Sequence, residues 1–203
     1  MRTAFLKDSA MPSNDIQDIL HRVDRGVAIS RSELAQIADL ASSGNSDNLY
    51  VVLRALGLAG SSAHRRIMER YLLYPRNPII SALALKALCL WWRLAADYRT
   101  QLIEFMHGVD WDLDGYLRLQ IISITGEYLR GNKDPELLRI VLDIFSDPAE
   151  ITLIRGAAYR SMLRSEGVEW RDMPSAAREL DLSEDVDEGI VARVRKKIRT
   201  QVN

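Results

Sequence analysis

Residues 117–125 read LRLQIISIT, and their spacing of apolar side chains recurs at an offset of 37 residues on either side. Positions i, i+4, i+7 and i+8 of this stretch lie on one face of an α-helix. Ten of the twelve residues at these positions in the three copies are apolar. The three sets are Ile80, Ala84, Ala87 and Leu88; Leu117, Ile121, Ile124 and Thr125; and Ile154, Ala158, Ser161 and Met162. A chain that repeats one apolar helical face in this way is predicted to stack successive helices.

Helical periodicity extends over nearly the whole chain, whereas strand signals are weak. Three dipeptides indicate the start of a helix, because a capping side chain precedes a proline that suits the first helical position. They are Asn77-Pro78, Asp134-Pro135 and Asp147-Pro148. Helices are predicted at residues 13–24, 30–42, 46–59, 61–74, 77–96, 98–108, 112–130, 134–146, 149–165 and 183–200. Residues 166–182 are predicted to be looser, with one helical turn after Pro174.

The predicted helices form pairs, in which a helix starting near residue 61, 98 or 134 is followed by one near residue 77, 112 or 149. Residues 112–121 (DLDGYLRLQI) and 154–158 (IRGAA) resemble the start of the second helix of a HEAT repeat. That helix typically opens with an aspartate and carries a valine-arginine-like pair six residues later. The chain departs from the pattern with Ser81 at one arginine position, and with Ala149 at one aspartate position, where Asp147 lies two residues away.

The resemblance covers roughly residues 30–165 and implies an all-α fold. It implies a right-handed α-α superhelix, a HEAT-like solenoid of about four antiparallel helix pairs with a capping C-terminal helix. We therefore expect a single domain over residues 1–203, with the repeats at about 30–165 and the C-terminal cap at about 166–203. The last helix suits a cap, because its acidic residues lie in its first turns and its basic residues near its end.

The composition bears on partners and compartment. The formal net charge is -1, so the chain lacks the basic excess that non-specific nucleic-acid binding needs. Its single cysteine, Cys89, lies in an apolar helical run, where a buried thiol is expected and no internal disulfide is possible. The N-terminus lacks the apolar segment of a signal peptide, and the most apolar stretch, residues 79–92, is shorter than the roughly 20 residues of a membrane span. We expect a soluble, cytoplasmic protein.

Residues 110–115, DWDLDG, match the first half of a calcium-binding EF-hand loop. The twelfth position of such a loop supplies a bidentate glutamate, and here that position is Ile121. Ile121 also belongs to the repeated apolar set, so no metal site is predicted. The acidic residues instead suit the positive end of a helix, with Asp112 pairing with Arg118 as in HEAT repeats.

The same segment has an alternative interpretation. Trp111, Asp112 and Asp114 resemble the W-D-x-x-D-like context of the solenoid alkylpurine DNA glycosylases, although the second acid comes one residue early. Those enzymes carry a tryptophan and an aspartate on a strongly basic concave face, which a neutral chain does not predict. This resemblance implies a nucleic-acid-binding HEAT-like protein that acts through residues 111–114.

Trp91 and Trp92 are adjacent and point about 100° apart on a helix, so at most one faces the core squarely. Trp92 is the candidate surface anchor, because tryptophan is frequent at binding hot spots, although packing of both rings is the alternative. The three histidines lack ligand spacing, and no nucleophile, metal or phosphate-loop motif is present. No catalytic residue, metal or cofactor is therefore predicted.

The sequence thus favours a protein-binding scaffold whose concave surface consists of the helices near 46–59, 77–96, 112–130 and 149–165. The expected partner is another protein, such as a toxin or an effector, so that the chain acts as an adaptor or an immunity protein. Membrane binding is not expected, nucleic acid is not favoured, and the chain is predicted to be a monomer or a homodimer. The candidate partner-binding residues are Trp92, Trp111, Asp112, Asp114 and Arg118.

Overall fold

The computed structural model describes residues 13–44, 48–175 and 180–201, and every regular element in these residues is helical. The α-helices are α1 (Ser13–Asp24), α2 (Arg31–Ser43), α3 (Leu49–Ala59), α4 (Arg65–Glu69), α5 (Pro78–Lys86), α6 (Arg99–His107), α7 (Tyr116–Gly131), α8 (Pro135–Ser146), α9 (Thr152–Ser165) and α10 (Glu188–Gln201). Short 3₁₀ turns are Ser62–His64, Ala95–Tyr98 and Trp170–Asp172, and a π-helical turn, Ala87–Trp91, extends α5. The prediction of an all-α fold is confirmed. The helical turn predicted after Pro174 falls on residues 176–179, outside the described residues.

Two predicted helices end earlier than expected. The predicted helix 77–96 stops after its π-helical turn because Arg93 adopts the left-handed conformation, with φ 58°. The N–H of Leu94 then donates to the carbonyl of Leu88 at 2.9 Å, which satisfies one of the last free carbonyls. The predicted helix 61–74 is also shorter. Only the 3₁₀ turn Ser62–His64 and the five residues of α4 are helical in this segment.

Two of the three predicted proline-linked caps are present. The side chains of Asn77 and Asp134 each accept a hydrogen bond of 3.1 Å from a backbone N–H in the first turn of α5 or α8. Asp147 differs, because its carboxylate accepts the N–H of Ala149 at 2.9 Å within a turn that follows α8. The predicted start of a helix at residue 149 is therefore wrong, and α9 begins three residues later.

The helices pack in pairs and in series. We call α2, α4, α6 and α8 the first helices and α3, α5, α7 and α9 the second helices. Each first helix packs on the second helix that follows it, and the second helices pack in order, α3 on α5, α5 on α7 and α7 on α9. At the ends, α1 packs on α3, and α10 packs on α8 and α9. The buried apolar residues form one continuous cluster that reaches from Ile16 to Val194.

The repeated face found in the sequence forms the centre of this cluster, since all twelve of its residues are buried. The contact between α7 and α9 is especially close at Gly126. A Cβ atom placed on Gly126 would lie 2.7 Å from the Cα of Ser161, whose hydroxyl donates to the carbonyl of Ile122 at 2.7 Å. The backbones of the two helices can approach this closely only because residue 126 has no side chain.

We expect Gly126→Ala to destabilise the protein. The added methyl group meets the backbone of Ser161, and overpacking of this kind costs about 1–3 kcal/mol, only partly offset by the higher helix propensity of alanine. Urea denaturation followed by circular dichroism measures the change in the free energy of unfolding.

Gly131→Ala is the matched control, because Gly131 lies at the end of the same helix and a Cβ there would meet nothing within 4 Å. This variant is expected to be neutral or more stable by about 0.5 kcal/mol. Equal stability of the two variants would contradict the close contact between α7 and α9.

Candidate functional site

Asp112, predicted to pair with Arg118, holds the start of α7. Its two carboxylate oxygens accept the backbone N–H groups of Leu117 at 3.1 Å and of Arg118 at 2.9 Å. Asp112 is buried, and α7 begins at Tyr116 rather than at residue 112. The contact with Arg118 is therefore made through the backbone, and the carboxylate serves as a cap at the positive end of the helix.

The guanidinium of Arg118 binds elsewhere. Its Nε donates to the carbonyl of Met106 at 2.7 Å, in the last turn of α6, and its Nη1 pairs with Glu150 at 2.6 Å. Arg118 therefore joins α7 to the end of α6 and to the loop between α8 and α9.

The same link recurs at an offset of 37 residues. The Nε of Arg155 donates to the carbonyl of Phe145 at 2.9 Å, in the last turn of α8. Ser81 occupies the equivalent position in the preceding repeat, 37 residues before Arg118. Its hydroxyl accepts a hydrogen bond of 3.0 Å from the backbone N–H of Tyr74. Ser81 departs from the arginine of the other two copies, yet it also joins its second helix to the segment that precedes it.

The two tryptophans among the predicted site residues are partly buried and lie in different places. The indole N–H of Trp92 donates to the carbonyl of Gly57 in α3 at 2.9 Å. The ring of Trp111 lies edge-on to Phe105 of α6, with ring centres 6.1 Å apart. Asp114 is exposed. The structure thus gathers Trp111, Asp112, Asp114 and Arg118 around the start of α7 and holds Trp92 against α3, and the binding role of these residues stays a prediction.

The described residues hold no cluster of three or more histidine, cysteine, aspartate or glutamate side chains that could bind a metal ion. Ile121, at the twelfth position of the EF-hand-like segment, is buried in the core and supplies no ligand oxygen. Burial raises the pKa of the Cys89 thiol to about 12, so the thiolate needed for nucleophilic chemistry does not form near neutral pH.

A different surface is built by the second helices. Within the α-helices of the described residues, four large apolar side chains are exposed, and each second helix carries one of them at its first or second position. These four, which we call the apolar row, are Tyr50, Ile79, Tyr116 and Leu153, with exposed fractions of 41, 40, 39 and 46%. Three of them, Ile79, Tyr116 and Leu153, lie 37 residues apart, each one residue before a buried position of the repeated face.

Three members of the row, Tyr50, Ile79 and Tyr116, line a shallow groove across α3, α5 and α7. The lining residues of this groove are Tyr50, Arg54, Ile79, Ala82, Leu83, Lys86, Trp91, Tyr116 and Gln120. Burial and the neighbouring Tyr50 both raise the pKa of Tyr116, so the phenol of Tyr116 is uncharged at neutral pH. The groove therefore presents apolar and aromatic surface that does not carry negative charge.

Two basic side chains lie in the groove. Arg54 pairs with Asp24 at 2.8 Å, and this hydrogen bond raises the pKa of Arg54. The ammonium of Lys86 lies 5.9 Å from the centre of the Trp91 ring, and no carboxylate of the described residues pairs with it. The groove thus combines aromatic and apolar side chains with polar and basic ones, and one of its two cations, Lys86, has no carboxylate partner in the described part of the chain.

The chain matches no protein-family model, no curated protein and no solved structure. Among the described helices, none is long and apolar enough to cross a membrane.

Asp112→Ala should destabilise the protein by about 1–2 kcal/mol, because the N–H groups of Leu117 and Arg118 lose their acceptor at the start of a buried helix. Asp114→Ala, two residues away and exposed, should change stability by less than about 0.5 kcal/mol. Urea denaturation of the two variants separates the roles, and equal free energies of unfolding would show that Asp112 does not hold α7.

Proposed function

We propose that the chain is a HEAT-like α-solenoid that binds another protein through the second helices, with the apolar row as the centre of the contact. One observation carries this proposal: each of four successive second helices exposes a large apolar side chain at its first or second position. Single exposed apolar residues are common on protein surfaces, whereas an ordered row of them is typical of an interaction site.

The solenoid is supported by how the helices pack. The second helices contact one another in series, each first helix lies on its own second helix, and all twelve residues of the repeated face are buried. The links made by Arg118 and Arg155 at the same repeat position also fit a structure composed of equivalent units.

The spacing of the row suggests the shape of the partner. Packed helices lie about 8–10 Å apart, so neighbouring members of the row are separated by about the same distance. Residues seven apart on an α-helix are separated by about 10.5 Å along its axis and lie on one face. A helix of the partner with apolar residues at this spacing would lie across the second helices, in the helix-in-groove mode of recognition.

The size of the chain and its lone cysteine agree with an adaptor or an immunity protein that works in the cytoplasm, alone or as a homodimer. For such a role the partner is a toxin or an effector protein. Nucleic-acid recognition through residues 111–114 is the alternative, and it gains no support from Asp112, whose two oxygens already accept backbone N–H groups.

The proposal predicts that Tyr116→Glu combined with Leu153→Glu lowers partner binding at least about tenfold, because the exposed apolar contact is replaced by two charges. Glutamate is tolerated at the start of a helix, since it lies at the positive end of the helix dipole. The tagged protein is used to capture partners from its host, and mass spectrometry quantifies each captured protein relative to the bait.

Leu73→Glu is the matched control, because Leu73 is 64% exposed and lies after α4, outside the second helices. The wild type and the Leu73 variant should capture one stoichiometric partner that the double variant loses, with all three chains equally stable. Equal capture by the three chains, or recovery of nucleic acid instead of protein, would contradict the proposal. Light scattering that shows self-association through the row would replace the partner with a second copy of the chain.

A further inference from the structure

The loop before α7 presents a leucine to solvent. Leu113 is 90% exposed, which is the largest exposed fraction of any large apolar side chain in the described residues. Asp110 and Asp114, on either side of it, are exposed as well, and neither carboxylate makes an ion pair or a hydrogen bond within the described part of the chain. We call residues 110–114 the acidic tip. A single exposed leucine is common on protein surfaces, so its surroundings decide whether it has a binding role.

The acidic tip is held in one conformation. Asp112 accepts two N–H groups at the start of α7, and the ring of Trp111 lies against Phe105. The N–H of Gly115 donates to the carbonyl of Asp112 at 3.0 Å, in a turn that gives Gly115 a φ of 65°. A side chain on a loop that is already ordered loses little conformational entropy when it binds. Leu113 is therefore preorganised for a contact with another surface.

A recess of matching character lies between the end of α1, the start of α2 and the end of α3. Its volume is about 330 Å³, and its apolar walls include Val23, Val27, Leu34 and Leu58. We call this recess, lined by these residues and by Arg31, the basic cleft. The groove beside the apolar row has a volume of only about 50 Å³. Of these two recesses, the basic cleft is the one with room for a leucine side chain.

The unpaired charges at the basic cleft are positive. Arg31 lines the cleft and Arg25 lies just before its loop, and both side chains are exposed without an ion pair among the described residues. The neighbouring carboxylates, Asp24 and Glu33, already pair with other arginines. An apolar recess beside two cations thus complements an apolar tip between two carboxylates.

The tip and the cleft of one chain lie too far apart to meet. The starts of α3, α5 and α7 lie together, because Tyr50, Ile79 and Tyr116 line one groove. The acidic tip precedes the start of α7, whereas Leu58 and Ala59 of the cleft lie in the last turn of α3. The distance from Tyr50 to Leu58 along α3 alone is roughly 12 Å. Two helix spacings of about 8–10 Å each add to this separation. Only the tip of another molecule can therefore fill the cleft.

We propose that the chain associates with a second copy of itself, with Leu113 of one copy in the basic cleft of the other. The two carboxylates of the tip then face the two arginines of the cleft, so that apolar burial and charge complementarity act at one contact. A contact of this small size gives weak, reversible association. It uses other residues than the apolar row and does not depend on the proposed function.

Sedimentation velocity of the purified chain from about 1 to 200 μM tests the inference. We expect the wild type to associate reversibly. Leu113→Glu and Val27→Glu should each weaken this association at least about tenfold, because each places an additional charge in the apolar contact. Leu73→Glu is the matched control, since Leu73 is also exposed and precedes a second helix, but lies outside the tip. A wild type that stays monomeric, or equal association of the wild type and Leu113→Glu, would overturn the inference.

A mixture of two variants tests whether the tip of one copy contacts the cleft of the other. Leu113→Glu retains an intact cleft, and Val27→Glu retains an intact tip. Each variant alone should be monomeric, whereas the mixture should form a complex through the one remaining pair of intact surfaces. Both substituted side chains are exposed, so circular dichroism should show unchanged folding. Two folded variants that form no complex when mixed would contradict the contact.

Exchanging the charges provides a second test with the apolar contact left intact. One variant combines Asp110→Lys with Asp114→Lys, and the other combines Arg25→Glu with Arg31→Glu. Each should lose self-association through like-charge repulsion, and mixing them should restore it, because the lysine tip now meets an acidic cleft. Failure of the mixture to associate would show that these charges do not face one another.

The proposed function and this inference fail separately. If the double variant of Tyr116 and Leu153 loses its captured partner but still self-associates, both proposals stand. If that variant loses self-association while Leu113→Glu retains it, the copies meet through the apolar row and the inference is overturned.

Discussion

The series of second helices depends on close contact between helices that are distant in sequence. At the α7–α9 contact a glycine lies against the backbone of Ser161, and at the contact of α3 with the π-helical turn after α5 a Cβ on Gly57 would lie 2.4 Å from the ring of Trp91. In both places a missing side chain on one helix admits atoms of the next. The partners differ in size, a serine in one case and an indole in the other, so the shape of each contact is matched locally.

Hydrogen bonds and ion pairs of arginine side chains outside the core orient the first helices on the second helices. Arg118 and Arg155 donate to carbonyls in the last turns of α6 and α8, where free carbonyls and the negative end of the helix dipole favour a cation. The starts of successive first helices are joined as well, since Arg99 binds Asp134, the cap of α8, at 2.6 Å. Ion pairs near the surface contribute at most about 1 kcal/mol each, so they fix the relative positions of helices more than they stabilise the fold.

The fold was largely predictable from the sequence, because a buried helical face leaves a periodic trace in apolar residues. All twelve residues of the repeated face are buried, and the caps at Asn77 and Asp134 form as expected. The end of the helix before Arg93 was not predictable in the same way, because a left-handed residue at a helix end is usually glycine. Likewise, the aspartate-proline pair at residue 147 resembles a helix start, whereas its carboxylate caps a turn.

The candidate site was less predictable for a physical reason. Trp92, Trp111, Asp112 and Arg118 belong to uncommon or charged residue types, and such residues are also used to close helix ends and fill irregular spaces. The apolar row consists of ordinary residues, and its signal was their position one residue before the buried face in three repeats. Its exposure follows from where each helix begins, which a sequence pattern locates only within a few residues.

Two features that oppose the stability of the isolated chain lie on the same helices. Exposed apolar side chains recur at the starts of the second helices, and the unpaired Arg160 lies two turns further along the last of them. Arg164, one turn later on α9, pairs with Glu127, and within the described part of the first helices no large apolar side chain is exposed. Packing within the chain gives no reason for an exposed apolar side chain at the start of each second helix. A partner that covers this surface would account for the row, and for this reason we propose the second helices as the binding face.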